Sequence, residues 1–149
     1  DRSATVQMHH TTVTGNTAAN QGAGIHQIQN SVLEASYSVI DAGCYSEPDS
    51  LLVSLGYNAV LSTATEQCVL TPVDGVNTDL ILSPEEMKLE ALADNGGSTL
   101  THLPSIDSVL IDAVSAANCS PEINEDQRGK PRNNGASCDI GAVELQDDD

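Results

Sequence analysis

Apolar and polar residues alternate through the first forty positions in short bursts separated by small polar residues: ATVQM at 4–8, TTVTG at 11–15, GAGIHQI at 22–28, SVLEA at 31–35 and YSVID at 37–41. The bursts are rich in β-branched residues and too short for helices, so they predict strands. Aligning HTTVT at 10–14 with YSVID at 37–41 gives an offset of 27 residues, at which Val6 matches Leu33 and Val13 matches Ile40. A period in that range predicts a repeat architecture. One coil of three short strands cannot bury its inner face alone; stacked about 4.8 Å from the next, its Val, Leu and Ile form ladders.

Residues 42–72 read as a coil with a long excursion, in which LLVSLGYN at 51–58 is strand-like with a break at Gly56. Tyr57 is expected to pack with its hydroxyl at the edge. A polar connection at 73–79 precedes the apolar strand LIL at 80–82. Ser83-Pro84-Glu85-Glu86 is a capping box with proline at the first helical position, and predicts a helix of a turn or two from Pro84. A fully helical 84–93 is the alternative. Asn95-Gly96-Gly97 reads as a turn, and TLTHL at 99–103 alternates like a half-buried strand. In SIDSVLIDAV at 105–114, Ile106, Val109, Leu110, Ala113 and Val114 also fit helical spacing. The tail LQDDD at 145–149 is expected to be disordered.

Composition narrows the picture. The chain of 149 residues has no Phe and no Trp, so its core is built from small aliphatics, which suits a thin layered stack better than a compact globule. With 5 Lys plus Arg against 22 Asp plus Glu, the net charge of −17 excludes nucleic acid and anionic membrane surfaces as partners. No segment is long and apolar enough to span a membrane. The opening Asp1-Arg2-Ser3 carries no signal peptide, and the economical expectation is a mature fragment lacking its targeting sequence and more N-terminal coils. Cys44, Cys68, Cys119 and Cys138 allow three pairings and contain no C-x-x-C zinc pattern.

Against this acidic background Arg128, Lys130 and Arg132 fall within five positions, beside Asp126 and before Asp139 and Glu144. Such clustering predicts internal ion pairing that ties the terminal segment down, Asp112 included as a partner; an anion-binding patch is the alternative.

The stretch DQRGKPRNNGASCDIGAVE at 126–144, with LADNGGSTLTHLP at 92–104, resembles the C-terminal end of the choice-of-anchor Q group of right-handed parallel β-helix proteins. VTGNTAANQGAGI at 13–25 resembles the TxSGNxAxxxGGGI repeat of polymorphic outer-membrane-protein β-helices, with Ala23 where glycine is frequent; SLGYN at 54–58 resembles the family's SxGYNL segment. In the place of its GSPAIDAG, this chain has Val109, Leu110 and Val114, which puts the usual bend in doubt. The resemblance implies an all-β, right-handed parallel β-helix with a terminal cap and at most short helical turns. A single domain would span 1–144, with coils and a disulfide-bounded loop over 1–82 and the last coils and cap over 83–144. The preferred disulfides are sequential, Cys44 with Cys68 and Cys119 with Cys138, in an oxidising compartment. The cap would be held by Asp112, Asp126, Arg128, Arg132, Asp139 and Glu144, and residues 89–92 would form a strand entering the last coil.

A search for chemistry finds Asp41, Asp107, Asp112, His102 and Arg128 as candidates for a lyase or glycosidase face, at no diagnostic spacing. His9, His10 and His26 do not make a convincing metal site, because adjacent residues face opposite sides of a strand. No calcium-loop motif is present. The leading expectation is therefore a non-enzymatic module of an extracellular or bacterial cell-surface protein, without cofactor. It would be a stalk, adhesin-like or carbohydrate-contact element whose partners are an extracellular glycan or a host or cell-surface protein. No nucleic acid and no membrane insertion by this segment are expected, and the exposed N-terminal coil is open to self-association. The alternative is a fragment of a polysaccharide-lyase-like enzyme with its catalytic coils upstream.

Overall fold

A computed structural model describes residues 4–64, 68–75, 78–132 and 137–149. The protein is mostly β. Its strands are β1 (Ala4–His9), β2 (Thr12–Val13), β3 (Ile25–Gln27), β4 (Ser31–Ser36), β5 (Val39–Ile40), β6 (Cys44–Ser46), β7 (Leu51–Gly56), β8 (Ala59–Leu61), β9 (Thr71–Pro72), β10 (Leu80–Leu82), β11 (Val114–Ser115) and β12 (Ser137–Cys138). The first ten belong to three parallel sheets, ordered β1-β4-β7-β9, β10-β8-β5-β2 and β3-β6; β1 to β6 visit the three in rotation twice, and β7 to β10 alternate between the first two.

The offset of 27 is the register itself. Val6 lies opposite Leu33 and Val13 opposite Ile40. The next repeat is shorter, with Ile25 opposite Cys44, 19 positions on. Twelve positions separate Val13 from Ile25, whereas four separate Ile40 from Cys44. The extra length is therefore a loop after β2, and it contains most of the VTGNTAANQGAGI segment. Gly24 closes that loop against the following repeat, where a Cβ would sit 3.0 Å from that of Ala42. Where β4 pairs with β7 the register slips between Ala35 and Ser36, so that Ala35 faces Ser54, Ser36 faces Gly56 and Leu55 of β7 is the extra residue. A bulge of this kind absorbs one extra residue and realigns the turn that follows.

That turn carries a bend that the pattern of apolar residues did not reveal. His10, Tyr37 and Tyr57 all adopt positive φ, at 45°, 51° and 58°. Left-handed backbone costs a bulky residue roughly 1–2 kcal/mol. Two interactions oppose that cost. The rings stack, His10 on Tyr37 at 4.7 Å and Tyr37 on Tyr57 at 5.5 Å, with ring planes nearly parallel in both cases. The amides beyond each ring are accepted by a side chain of the next repeat: Thr11 N–H by Ser38 Oγ, Ser38 N–H by Asn58 Oδ1, and Asn58 N–H by Asp79 Oδ1. Asn58 is fully buried, and its Nδ2 donates to Ala35 O, Ser54 Oγ and Asp79 Oδ1. Its polar atoms are thereby satisfied where water cannot reach.

The sheet β10-β8-β5-β2 has two apolar faces. On one, Ile40 and Val60 join Leu33, Cys44, Leu52, Ala64 and Cys68 in a core between the sheets. On the other, Val39, Ala59 and Leu82 pack against Met87, Leu110, Val114, Cys138 and Ile140. Adjacent residues therefore feed different cores, as a two-residue side-chain period requires.

The second core corrects the expected place of the terminal segment. Residues 83–144 add no further parallel repeat among the described residues. They begin with α1 (Pro84–Met87), where Glu86 accepts the Ser83 N–H at 2.9 Å, and Lys88 ends the helix with positive φ. Antiparallel bridges then join Leu89 to Pro104 and Ala93 to Thr101, where a strand of a last coil was expected. The antiparallel pair β11 and β12 follows. Residues 105–113 form turns and irregular chain rather than helix, and Ile106 is 83% exposed. This region lies along the flank of the parallel sheets: Gly141 N–H donates to Tyr37 O, and Ala142 N–H to Thr12 Oγ1. Asn133 to Ala136 of the basic motif lie outside the described residues.

Both disulfides are sequential, Cys44–Cys68 and Cys119–Cys138. One bridges β6 to the chain beyond β8, and the other holds β12. Each is worth on the order of 3 kcal/mol in the chain-entropy account.

Val13, Ile40, Val60 and Ile81 form one inward ladder. Ile40 is fully buried and Ile81 is 54% exposed at the ladder's end. Ile40→Ala should lower unfolding free energy by about 2–5 kcal/mol, and Ile81→Ala by much less, in urea denaturation. Equal losses at the two positions would contradict this register.

Candidate functional site

The basic cluster folds inward. Arg128 is buried and uses all three guanidinium nitrogens: Nε pairs with Asp126 Oδ2 at 2.9 Å, Nη1 with Asp149 Oδ1 at 2.7 Å, and Nη2 donates to Glu144 O at 2.7 Å. Burial opposes its charge, but the hydrogen bonds it donates to Asp149 and Asp126 outweigh that and hold its pKa above the usual arginine value. Asp126 also accepts the amides of Arg128, Lys130 and Glu144. Gly97 lets the turn at 95–97 reach this cluster, since its φ is +86° and a Cβ would meet Arg128 Cα at 2.7 Å.

The tail, expected to be disordered, is part of this assembly. Asp149 accepts from Arg128 and Lys130, and Gln146 Nε2 donates to Pro131 O and Glu144 O. Burial works against ionising Asp149, yet Arg128 and Lys130 hold its carboxyl well below the usual range.

Asp139, Glu144 and Arg132 form the second half of the cluster. Asp139 Oδ1 accepts the Asp112 N–H at 2.8 Å and Oδ2 the Leu145 N–H at 2.7 Å, while burial still pushes its carboxyl above the usual range. The Asp139 N–H donates to Glu144 Oε2 at 3.0 Å. Asp112 departs from the expected role. It enters through its backbone amide, and its exposed carboxylate takes part in none of the ion pairs among the described residues.

Arg132 is the incompletely served member. Nη2 donates to Gly141 O at 2.9 Å and Nη1 lies 3.5 Å from Glu144 Oε2, but Nε and Nη1 make no hydrogen bond. Burial lowers its pKa against the pull of Glu144, Asp126 and Asp139. The other buried nitrogens without a partner among the described residues are Nδ1 and Nε2 of His10. Both residues line one cavity of about 300 Å³, with His9, Thr11, Glu125 and Asp126 among the other walls. His10 is lowered to about 3, first by burial and then by the positive charge of Arg132 and by His9; the Gly141 backbone pulls the other way without making an ordinary hydrogen bond. Sequence reasoning passed over this site because His10 and Arg132 lie far apart in the chain, and nothing in either segment announces their meeting.

The remaining candidates scatter. Arg128 is consumed internally, and Asp107 pairs with Lys88. Asp41 is held by the Thr14 hydroxyl and the Gly15 amide, and lines a cavity of about 330 Å³ with Lys88, Glu90 and His102. His102 Nδ1 lies 2.7 Å from Glu90 O. His9 meets Ser36 and His26 lies edge-on to Tyr45, so the three N-terminal histidines are dispersed. Among the described residues no three His, Cys, Asp or Glu side chains converge as a metal site, and no helix is long and apolar enough to cross a membrane. The chain matches no protein-family model, no curated protein and no solved structure.

Truncating one partner of a buried ion pair leaves the other uncompensated, so Arg128→Ala should cost about 3–5 kcal/mol in urea unfolding. Lys130→Ala, at the exposed edge of the same cluster, should change the midpoint little; equal losses would argue against a buried keystone.

His10 gives a pH dependence of definite sign. An unfolded histidine titrates near 6.5, so between there and about 3 the unfolded chain binds a proton that the folded chain does not. This contribution is complete above 6.5 and is lost toward pH 3, at on the order of 1.4 kcal/mol per pH unit. His10→Phe keeps the ring stack and removes the titration. Its stability, followed by denaturant unfolding from pH 7 to pH 4, should fall less than the parent's; parallel profiles would refute the assignment.

Proposed function

We propose that this chain is part of a right-handed parallel β-helix from an extracellular or bacterial cell-surface protein, acting as a non-catalytic module that contacts neutral glycans. The fold reading is supported by three parallel sheets, which β1 to β6 visit in rotation, and by the resemblance of the 13–25 and 126–144 segments to β-helix families. The two disulfides fit an oxidising compartment.

The observation that carries the function is the meeting of His10 and Arg132 around one cavity, with four buried nitrogens that make no hydrogen bond among the described residues. Each buried polar group left unsatisfied costs about 1–3 kcal/mol, and because these nitrogens are covered from solvent, a hydroxyl-rich guest would relieve that cost only by displacing the atoms that cover them. Sugar hydroxyls accept from guanidinium and either donate to or accept from a neutral imidazole. An anionic guest fits worse, because Glu125 and Asp126 line the same cavity and the chain carries −17 overall. Catalysis by His10 is disfavoured as well. An imidazole of pKa about 3 is a weak base at neutral pH, far from the matched value general-base chemistry favours.

A carbohydrate-active enzyme with its catalytic coils upstream is the competing reading, centred on the cavity that gathers Asp41, Lys88, Glu90 and His102. Glycan-array screening followed by calorimetry, with a lyase absorbance assay on every bound glycan, separates the two. Neutral oligosaccharides should bind without cleavage, and His10→Phe should weaken binding by about tenfold, the loss of one buried hydrogen bond. Absence of neutral-glycan binding, or cleavage of the bound chain, would reject the proposal.

A further inference from the structure

The walls of the cavity at His10 and Arg132 are unequally held. On one side stand His9 to Thr12, fixed by the stack of His10 on Tyr37 and by the Thr11 N–H on Ser38 Oγ. Arg132 is tied to Gly141 O, and the Ala142 N–H to Thr12 Oγ1. Asp126 is locked into its ion pair with Arg128, while Gln127 donates its N–H to Ala142 O and its Nε2 to Thr99 Oγ1. What remains is the stretch that brings Ile123 and Glu125 to the cavity.

This stretch is a strap. Ser120, Pro121, Glu122 and Ile123 belong to no helix or strand, and they make no hydrogen bond among the described residues. The strap is tied at its ends. At one end is the disulfide from Cys119 to Cys138; at the other, the Arg132 N–H donates to Asn124 O at 2.8 Å and Glu125 bridges to Pro131. Pro121 and Glu122 are exposed, and the half-buried Ile123 is the apolar side chain that seats the strap against the cavity. A segment with so few backbone bonds and so little buried apolar surface opens locally at a small part of the free energy of global unfolding.

We infer that residues 120–123 are a gate, which swings away from the bend at 9–12 between its ties at Cys119 and Asn124 and so uncovers the buried nitrogens of His10 and Arg132. What enters rests on the glycan reading; the opening itself does not. Closed, the strap keeps those nitrogens from solvent, and a guest meets them only in the open state. The apparent affinity of any guest is then reduced by the fraction of molecules that are open.

Diethyl pyrocarbonate acylates a neutral imidazole nitrogen and reports access to His10 without a glycan, since His10, lowered to about 3, is neutral at pH 7. Labelling is followed by peptide mass spectrometry on the whole protein with its disulfides intact, and exposed His26 serves as the reference. His26 should react first. His10 should react slowly, at a rate unchanged by urea below the unfolding transition, because opening the strap exposes little new surface. Ile123→Ala removes the contact made only in the closed state, and should speed His10 labelling by about tenfold with His26 unchanged. His10 reacting as fast as His26, reacting only in step with global unfolding as urea rises, or reacting at the same rate in Ile123→Ala would each overturn the gate. Labelling that follows the strap in a protein that binds no neutral oligosaccharide would leave the gate standing and reject the glycan reading alone.

Discussion

The structure depends on a sheet that is buried on both sides. Strands β5 and β8 are only two and three residues long, and each must present one apolar side chain to the core between the sheets and its neighbour to the core beneath the C-terminal segment. Val39-Ile40 and Ala59-Val60 meet that demand with residues at most 1% exposed. So short a strand makes few ladder hydrogen bonds, and its position is fixed by side chains on its two faces. This explains why a chain without Phe or Trp can hold together: two thin cores share one wall, and neither needs bulky rings to fill it.

The bends between strands impose a second condition. A narrow stack must turn sharply after each strand, and the turn recurs in the same place, so any residue there meets its counterpart one repeat away. His10, Tyr37 and Tyr57 convert that recurrence into stacking, while Ser38, Asn58 and Asp79 convert it into accepted amides. Strained backbone and regular architecture are linked here, because the interactions that offset the strain exist only between adjacent repeats. A single isolated turn of this sequence would have neither.

Much of the first half was legible from the sequence because its signal is local and periodic. Short β-branched bursts announced the strands, and the offset between Val6 and Leu33 was the true register. The sequential disulfides agree with the structure as well. The second half was read less well for a physical reason. Leu110, Val114 and Ile140 pack against the outer face of a sheet formed much earlier in the chain, and no local period marks a contact of such separation. The resemblance therefore suggested further coils where the chain lies along the flank. The basic motif suggested inward ion pairing and was silent about geometry: Arg128 pairs with Asp126, Asp112 contributes only its amide, and a tail of three aspartates that composition marked as disordered supplies a buried carboxylate.

The two arginines illustrate how little residue type alone decides. Arg128 and Arg132 lie four positions apart, both buried and both among carboxylates. One has every guanidinium nitrogen engaged and a raised pKa; the other leaves two nitrogens without hydrogen bonds and has a lowered one. The difference follows from what faces them. Arg128 receives a turn at 95–97 and the tail carboxylate, both free to close on it, whereas Arg132 faces His10, whose ring is already committed to the stack on Tyr37 and cannot rotate to serve it without losing that contact. A guanidinium with two nitrogens short of hydrogen bonds, beside an imidazole held neutral, is thus a by-product of the aromatic ladder that shapes the bends. The same constraint that makes the repeats regular leaves hydrogen-bonding capacity unspent at the one place where the ladder ends against the C-terminal segment.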